Sequence, residues 1–149
     1  MNGLLVTLFL LSSLSGCAAV RNDHFTTTPV PIELGSSLAA DAIKQLQTLY
    51  PPARTKFNIG QSVPKTDSFG TSLVFQMREK GYAVQTLDSS QPAEALDGIS
   101  TLYTVDKPAS SLFAGLYRVQ LTVGKTILTR AYTAGNDTAI PAGAWAKME

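Results

Sequence analysis

The sequence predicts an α+β domain in which two helices pack on one face of a small mixed or antiparallel sheet of about four to five strands. Two segments repeat their apolar residues at intervals of three and four, which is typical of amphipathic helices. Other segments alternate apolar and polar residues, as half-buried strands do. The elements follow the order α-β-α-β and then a run of strands, which indicates helices segregated on one side of a sheet.

The first helix is predicted over residues 38–50, with Ser36-Ser37 as its N-cap. Asp41 would then lie in the first turn, where the helix dipole favours a negative charge. Pro51-Pro52 ends this helix, because proline lacks the N–H that the next turn requires. A short strand over residues 55–59 follows, in which alternate positions are apolar.

A helix, a glycine and a strand form the next predicted unit. Asp67 or Ser68 caps the second helix, and an apolar stripe marks its buried side. Gly81 ends it, since glycine readily adopts the left-handed backbone found after a helix. A strand is predicted over residues 82–87.

The second half of the chain is predicted to be extended. Residues 99–106 read as one strand, and residues 116–133 as a β-hairpin that turns at Gly124-Lys125. The tail over residues 134–149 is rich in Gly, Asn and Pro and predicts no regular element.

Aromatic and apolar side chains near element ends are candidates for protein contacts. Trp145, the only tryptophan, either anchors such a contact or closes the core of its own domain, and we favour the second interpretation. The other candidates are Tyr50, Phe113 and Leu116.

The N-terminus contains an uncharged apolar run over residues 4–14. It is too short to cross a bilayer core of about 30 Å, but it fits the apolar region of a signal peptide. The following Leu14-Ser15-Gly16-Cys17 resembles the lipobox of bacterial lipoproteins. In that family the cysteine is acylated with chains such as palmitate, and the signal peptide is cut before it. The resemblance therefore implies cleavage after Gly16 and lipidation of Cys17; the alternative is that Cys17 is an ordinary small residue of a buried helix.

Three regions follow from this interpretation: a signal peptide over residues 1–16, a lipidated cysteine and tether over residues 17–35, and one periplasmic α+β domain over residues 36–149. Pro29 and Pro31 favour extended backbone in the tether. A peripheral strand on the domain, or a partner-binding segment that orders on assembly, are the alternatives for this region. Ala18 in place of the aspartate that retains lipoproteins at the inner membrane implies an outer-membrane location.

Composition argues against several function classes. A net charge of +1 disfavours direct nucleic-acid binding, which needs a concentrated positive surface. The single histidine, His24, falls in the tether, and one cysteine cannot build a thiolate metal site. Gly124-Lys125-Thr126 ends like a phosphate-binding loop but lacks the glycine five positions earlier. The sequence therefore predicts no enzyme, no cofactor and no metal site.

Several segments resemble the TrbH family of conjugal transfer lipoproteins. Besides the lipobox, the matching stretches are residues 39–46, 49–55, 67–70, 78–84, 116–119, 130–132 and 141–145. None of these stretches is a catalytic signature, so the resemblance depends on their number and order.

The resemblance implies a structural, non-enzymatic outer-membrane lipoprotein of a conjugative type IV secretion system. Its implied partners are the membrane and proteins of the secretion core complex, among them a TrbG-like subunit, and it is expected to be oligomeric in the assembly. The alternative hypothesis is a non-catalytic periplasmic or surface-binding lipoprotein, either an exclusion factor or a cell-envelope-binding module.

Overall fold

The computed structural model describes residues 29–87, 97–108 and 115–149. These residues form two helices on one side of a mixed sheet, which confirms the predicted α+β class. The elements are α1 (Ile32–Leu49), a 3-10 turn (Pro52–Arg54), β1 (Lys56–Ile59), α2 (Ser68–Glu79), β2 (Ala83–Thr86), β3 (Ile99–Asp106), β4 (Leu116–Val123), β5 (Thr126–Gly135), β6 (Thr138–Pro141) and β7 (Ala146–Met148). The predictions for Gly16, Cys17, His24 and Phe113 lie outside the described residues.

The first helix begins at Ile32, earlier than predicted, and includes residues that the sequence analysis assigned to the tether. Pro31 occupies the N-cap, a position at which no backbone N–H is needed. The predicted caps Ser36-Ser37 therefore lie inside the helix, and the Ser37 hydroxyl accepts a hydrogen bond from the Ala139 N–H at 3.0 Å. Asp41 consequently lies in the third turn of α1, so the prediction that it faces the positive end of the helix dipole was wrong.

The sheet runs in the order β2-β1-β3-β4-β5-β6, and β7 also pairs with β5. β1 is parallel to both β2 and β3, whereas the later pairs are antiparallel. A parallel pair requires a crossover, and α2 supplies it between β1 and β2. The β4–β5 hairpin turns at Gly124, whose positive φ of 59° confirms the predicted turn.

Alternation along the strands directs one face of the sheet toward the helices. In β3 the buried residues are Thr101, Tyr103 and Val105, and their exposed or half-buried neighbours point to the opposite face. The apolar stripes of both helices cover the buried face. The largest fully buried side chains are Tyr103, Tyr132, Phe57, Phe69, Leu38, Ile43, Leu46, Ile59, Leu73, Met77, Leu121 and Leu128.

The two helices approach closely at Gly35. A Cβ at this position would lie 2.5 Å from the Ser68 Oγ atom and 3.0 Å from the Phe69 nitrogen. The Gln76 side chain adds a hydrogen bond to the Ser36 carbonyl at 3.1 Å. These contacts fix the N-terminal part of α1 beside α2.

The sheet contains more strands than predicted, because the tail also pairs with β5. β6 pairs with the C-terminal part of that strand, and β7 with its N-terminal part, so both cover the same edge. Their residues are mostly exposed, so they show no alternation that a sequence pattern could reveal.

Candidate functional site

β2 forms one edge of the sheet within the described residues. The Leu87 N–H donates to the Ile59 carbonyl at 3.2 Å, so residues 83, 85 and 87 direct their backbone groups toward β1. The alternate residues, Val84 and Thr86, direct theirs away from the sheet. The Arg78 side chain confirms this orientation, because its Nη2 atom donates to the Val84 carbonyl at 3.3 Å. Such an edge can accept one further strand.

A cleft of about 460 Å³ lies beside this edge, bounded by α2 and by the chain that leaves β1. We call it the β2 cleft. Its lining includes Val63, Thr71, Val74, Phe75, Arg78 and Leu87.

Phe75 and Arg78 give the β2 cleft its chemical character. The Phe75 ring is 64% exposed, an unusual state for an aromatic side chain on a packed helix. Among the lining residues that the structure describes, Arg78 alone is charged. No carboxylate among the described residues pairs with its guanidinium group, which donates to the Val84 carbonyl. The cleft therefore offers an apolar surface beside the Arg78 guanidinium group, which has further N–H donors for a ligand.

A buried carboxylate positions α2 over the sheet. Asp67, which is 4% exposed, caps the helix by accepting the Gly70 N–H at 2.9 Å. Its other oxygen accepts the Tyr103 hydroxyl at 2.5 Å. Burial, and then this hydrogen bond, raise the pKa of Tyr103 well above its ordinary value of 10.0. Of the two predicted caps, the structure therefore selects Asp67.

The loop between β1 and α2 is tied to β3 through Gln61. Its side-chain amide accepts the Tyr103 N–H at 2.9 Å and donates to the Tyr103 carbonyl at 3.2 Å. Because Gln61 is 7% exposed, these bonds are shielded from water. One wall of the β2 cleft therefore rests on a fixed loop.

A second polar cluster lies between α1 and β5. One oxygen of Asp41, Oδ2, accepts hydrogen bonds from Arg130 Nη1 at 2.8 Å, from the Tyr132 hydroxyl at 2.8 Å and from Trp145 Nε1 at 3.2 Å. The Arg130 Nε atom also donates to the Gly143 carbonyl at 2.7 Å. This cluster, which we call the Asp41 cluster, joins the first helix, the sheet and the tail.

The face of the sheet turned away from the helices carries a mixture of polar and apolar residues. An ion pair between Arg118 and Asp106 lies on it, with Nε 3.0 Å from Oδ1. Its exposed apolar side chains are Leu102, Ile140 and Met148.

Comparison with known families decides which group of proteins this chain resembles. The family described as conjugal transfer protein TrbH matches residues 21–149, which is most of the chain. The chain belongs to the TrbH family. A role in conjugation follows from this membership, and the family resemblance found in the sequence is confirmed. No curated protein and no solved structure matches the chain.

The structure of this TrbH-family chain tests the candidate contact residues. Trp145 packs edge-on against Tyr132, with ring centroids 6.4 Å apart, so the interpretation that it closes its own core is confirmed. Tyr50 packs against Phe57 in the same manner at 5.8 Å and is half-buried, as is Leu116. The described residues contain no group of three or more His, Cys, Asp or Glu side chains suited to a metal ion. Nor does any helix in those ranges combine the length and apolarity needed to cross a membrane.

Sequence reasoning missed Phe75, Arg78 and the free edge of β2. A usable signal was present, because Phe75 falls outside the apolar stripe of α2 and must therefore face away from the core. The Asp41 cluster carries no comparable signal, since its members come from three distant parts of the chain.

Proposed function

We propose that this TrbH-family chain is an outer-membrane lipoprotein that serves as a structural, non-enzymatic component of the conjugative type IV secretion apparatus. The observation that carries the proposal is the family match over residues 21–149, which begins four positions after Cys17. The lipobox thus immediately precedes the region that defines the family. A TrbG-like subunit of the core complex is the proposed partner.

The proposed anchor has a simple physical basis. Each CH₂ group of an acyl chain buried in the bilayer contributes about 0.8 kcal/mol, so one chain binds reversibly and several bind stably. Lipidation at Cys17 would hold the periplasmic domain at the membrane by its N-terminal end.

The shielded carboxylates of the domain support a structural role. Asp67 is occupied by a helix cap and by Tyr103, and Asp41 by three donors from the sheet and the tail. The bonds from Tyr103 to Asp67 and from Arg130 to Asp41 join separate parts of the fold. Both carboxylates therefore stabilise the architecture that presents the β2 cleft and the outer face of the sheet.

The anchor is tested with Cys17→Ser in donor cells. We expect an uncleaved precursor that retains residues 1–16, together with a loss of DNA transfer, while Ser12→Ala should be processed normally. Mass spectrometry of the membrane-extracted protein identifies the N-terminus and its acyl chains. Normal transfer by donors that carry unmodified Cys17→Ser protein would contradict the proposal.

A second arm of this experiment distinguishes a component of the secretion channel from an exclusion factor. Deletion in the donor alone should abolish export, and deletion in the recipient alone should leave transfer unchanged. An effect confined to the recipient would favour exclusion instead. Co-purification of the wild-type protein with the core complex tests the structural role directly.

A further inference from the structure

We propose that the free edge of β2 pairs with the same edge of a second copy of this chain, so that the two sheets join across a two-fold axis at Gln85. The two copies of α2 then lie side by side over the junction, and Phe75 of each copy packs on the partner's Val74. This contact goes beyond the proposed function, because it forms whether or not Cys17 carries a lipid.

The two edges of the sheet differ in how they are protected. Sheet edges are commonly blocked by proline or by lysine, both of which hinder pairing with another chain. At the edge formed by β6 and β7, Pro141 and Lys147 supply these two features. The four residues of β2 include neither residue type and carry no charge. Of the two edges, the edge of β2 is therefore the one suited to accept a further strand.

The outward backbone groups of β2 are complementary to a second copy of themselves. Val84 and Thr86 direct their N–H and C=O groups away from β1, one on each side of Gln85. In an antiparallel pair centred on Gln85, Val84 lies opposite the partner's Thr86, and these two residues exchange both N–H···O bonds. The two-fold axis repeats the same bonds on its other side. The Val84 carbonyl also accepts from Arg78, and its second lone pair remains for the partner.

The α2 side of the β2 cleft has the same symmetry. Its residues Thr71, Val74, Phe75 and Arg78 recur at intervals of three and four and therefore form one stripe. When two such helices lie antiparallel with their centre between residues 74 and 75, Val74 opposes the partner's Phe75, and Thr71 opposes the partner's Arg78. The Phe75 ring, which is 64% exposed in one copy, is thereby covered.

Helix pairing and strand pairing share one axis. The Arg78 side chain reaches the Val84 carbonyl, so these two residues lie at a similar level of the domain. The centre of the stripe lies about 5 Å from Arg78 toward the start of α2. Gln85 lies about 3.3 Å from Val84 in the same direction, because the crossover helix runs opposite to β2. The two centres agree within about 2 Å, so one rotation brings both strands and helices together.

The charges of the surface are compatible with self-association. Residues close to a two-fold axis meet their own copies, so a charged residue there would face a like charge. Gln85 and Phe75, which lie nearest the axis, are uncharged. Arg78 and the partner's Arg78 are about 10 Å apart along the helices, and each guanidinium group faces the hydroxyl oxygen of Thr71 in the other copy, which can accept a hydrogen bond. The contact needs no ion pair.

The size of the contact predicts its strength. A strand of four residues and a stripe of two helical turns cover less than the roughly 800 Å² per partner that is typical of stable complexes. We therefore expect a weak dimer whose population rises with protein concentration.

A single cysteine on the axis tests the strand pairing in the full-length chain carrying Cys17→Ser, which has no other thiol. Gln85→Cys places two Cα atoms about 4.5 Å apart, a distance that a disulfide can bridge, so mild oxidation should link two chains. Ala83→Cys is the matched control, because it is exposed on the same face of β2 but about 13 Å from its own copy. It should remain reduced, as judged by non-reducing gels and peptide mass spectrometry.

The helix contact is tested without a cysteine. In sedimentation experiments on the Cys17→Ser chain in mild detergent, Phe75→Asp should weaken dimerisation about tenfold or more, because it places a charge on the partner's Val74. Ile140→Asp, at a 53% exposed position on the opposite face of the sheet, is the control and should leave dimerisation unchanged.

Hydrogen exchange reports on the edge itself. The amides of Val84 and Thr86 should exchange more slowly as the protein concentration rises, whereas Phe75→Asp should remove this dependence. The amide of Val119, in the middle of the sheet, should exchange at the same rate at every concentration.

The remaining outcomes overturn the proposal. Equal linkage at positions 83 and 85 would indicate random collision, and dimerisation unaffected by Phe75→Asp would place the contact elsewhere. A monomer whose Val84 and Thr86 amides are protected would show that another part of the same chain covers the edge, such as the undescribed residues around Arg21 or between Asp88 and Glu94. None of these measurements depends on lipidation or DNA transfer, so failure here is distinct from failure of the proposed function.

Discussion

The carboxylate of Asp41 and the guanidinium group of Arg130 lie 89 positions apart in the sequence and 2.8 Å apart in the fold. Their side chains are 21% and 20% exposed, so the ion pair is considerably shielded from water. Tyr132 and Trp145 donate to the same carboxylate oxygen. This arrangement makes Asp41 the point at which helix, sheet and tail are joined.

Loss of the Asp41 carboxylate should destabilise the domain. Asp41→Ala leaves three shielded donors without their acceptor, and we expect the free energy of unfolding to fall by about 2–3 kcal/mol. Asp97→Ala is the control, because it removes the more exposed ion pair with Lys56 and should cost less than about 1 kcal/mol. Urea denaturation of both variants measures the difference, and equal losses would contradict a special role for Asp41.

Trp145 should hold the tail against the domain. Trp145→Ala removes its ring contact with Tyr132 and its hydrogen bond to Asp41, so we expect a loss of about 1–3 kcal/mol. The β7 amides should exchange faster as the tail detaches. Met148→Ala, at a 58% exposed position of β7, should change neither the free energy of unfolding nor the exchange of the β7 amides. If both variants leave the tail protected, β7 pairing alone holds it.

The sequence predicted those elements whose signal is local. The repeat of apolar residues in α2, the positive φ at Gly81 and the hairpin at Gly124 each depend on neighbouring residues, and each is confirmed. The start of α1 was misplaced because two serines make a plausible cap, whereas the helix begins at Ile32 after Pro31 and Ser37 bonds to Ala139 instead of capping it.

Long-range contacts escaped prediction for a physical reason. Asp41 shows nothing in its own neighbourhood that points to Arg130, since that partner is set by the packing of α1 on β5. β7 is three exposed residues long and is ordered by pairing with β5, not by its own periodicity. The β2 cleft likewise arises only when α2 and the edge of the sheet come together.

Alkaline pH should destabilise the domain through Tyr103 and Tyr132. Burial, and then hydrogen bonds to Asp67 and Asp41 respectively, raise the pKa of both phenols above 10.0, although Arg130 opposes the shift at Tyr132. Stability from these groups is fully present below pH 10 and is lost as the pH rises, because the unfolded chain releases its protons first. At pH 11 the loss is about 1.4 kcal/mol for each tyrosine.

Phenylalanine variants isolate this effect. Tyr132→Phe and Tyr103→Phe should each be less stable than the wild type at pH 8 but should lose less stability between pH 9 and pH 11. Urea unfolding at each pH measures the free energy of unfolding of every variant. Phenolate absorbance recorded in parallel follows the ionisation of the tyrosines. An unchanged alkaline loss in the double variant would show that other groups cause it.

A single added methyl group should lower the stability of the domain most at Gly70. A Cβ there would lie 1.8 Å from the Tyr103 hydroxyl oxygen and 2.5 Å from the Asp67 Oδ2 atom. Both groups are buried and bonded to each other, so moving Tyr103 breaks its bond to Asp67, and moving Asp67 also breaks the cap of α2. We expect Gly70→Ala to lower the free energy of unfolding by about 3 kcal/mol or more. Gly143→Ala, which meets nothing within 4 Å, should leave it unchanged, and circular dichroism during urea unfolding compares the two. Similar stability of both variants would show that α2 can shift away from Tyr103 without losing its cap.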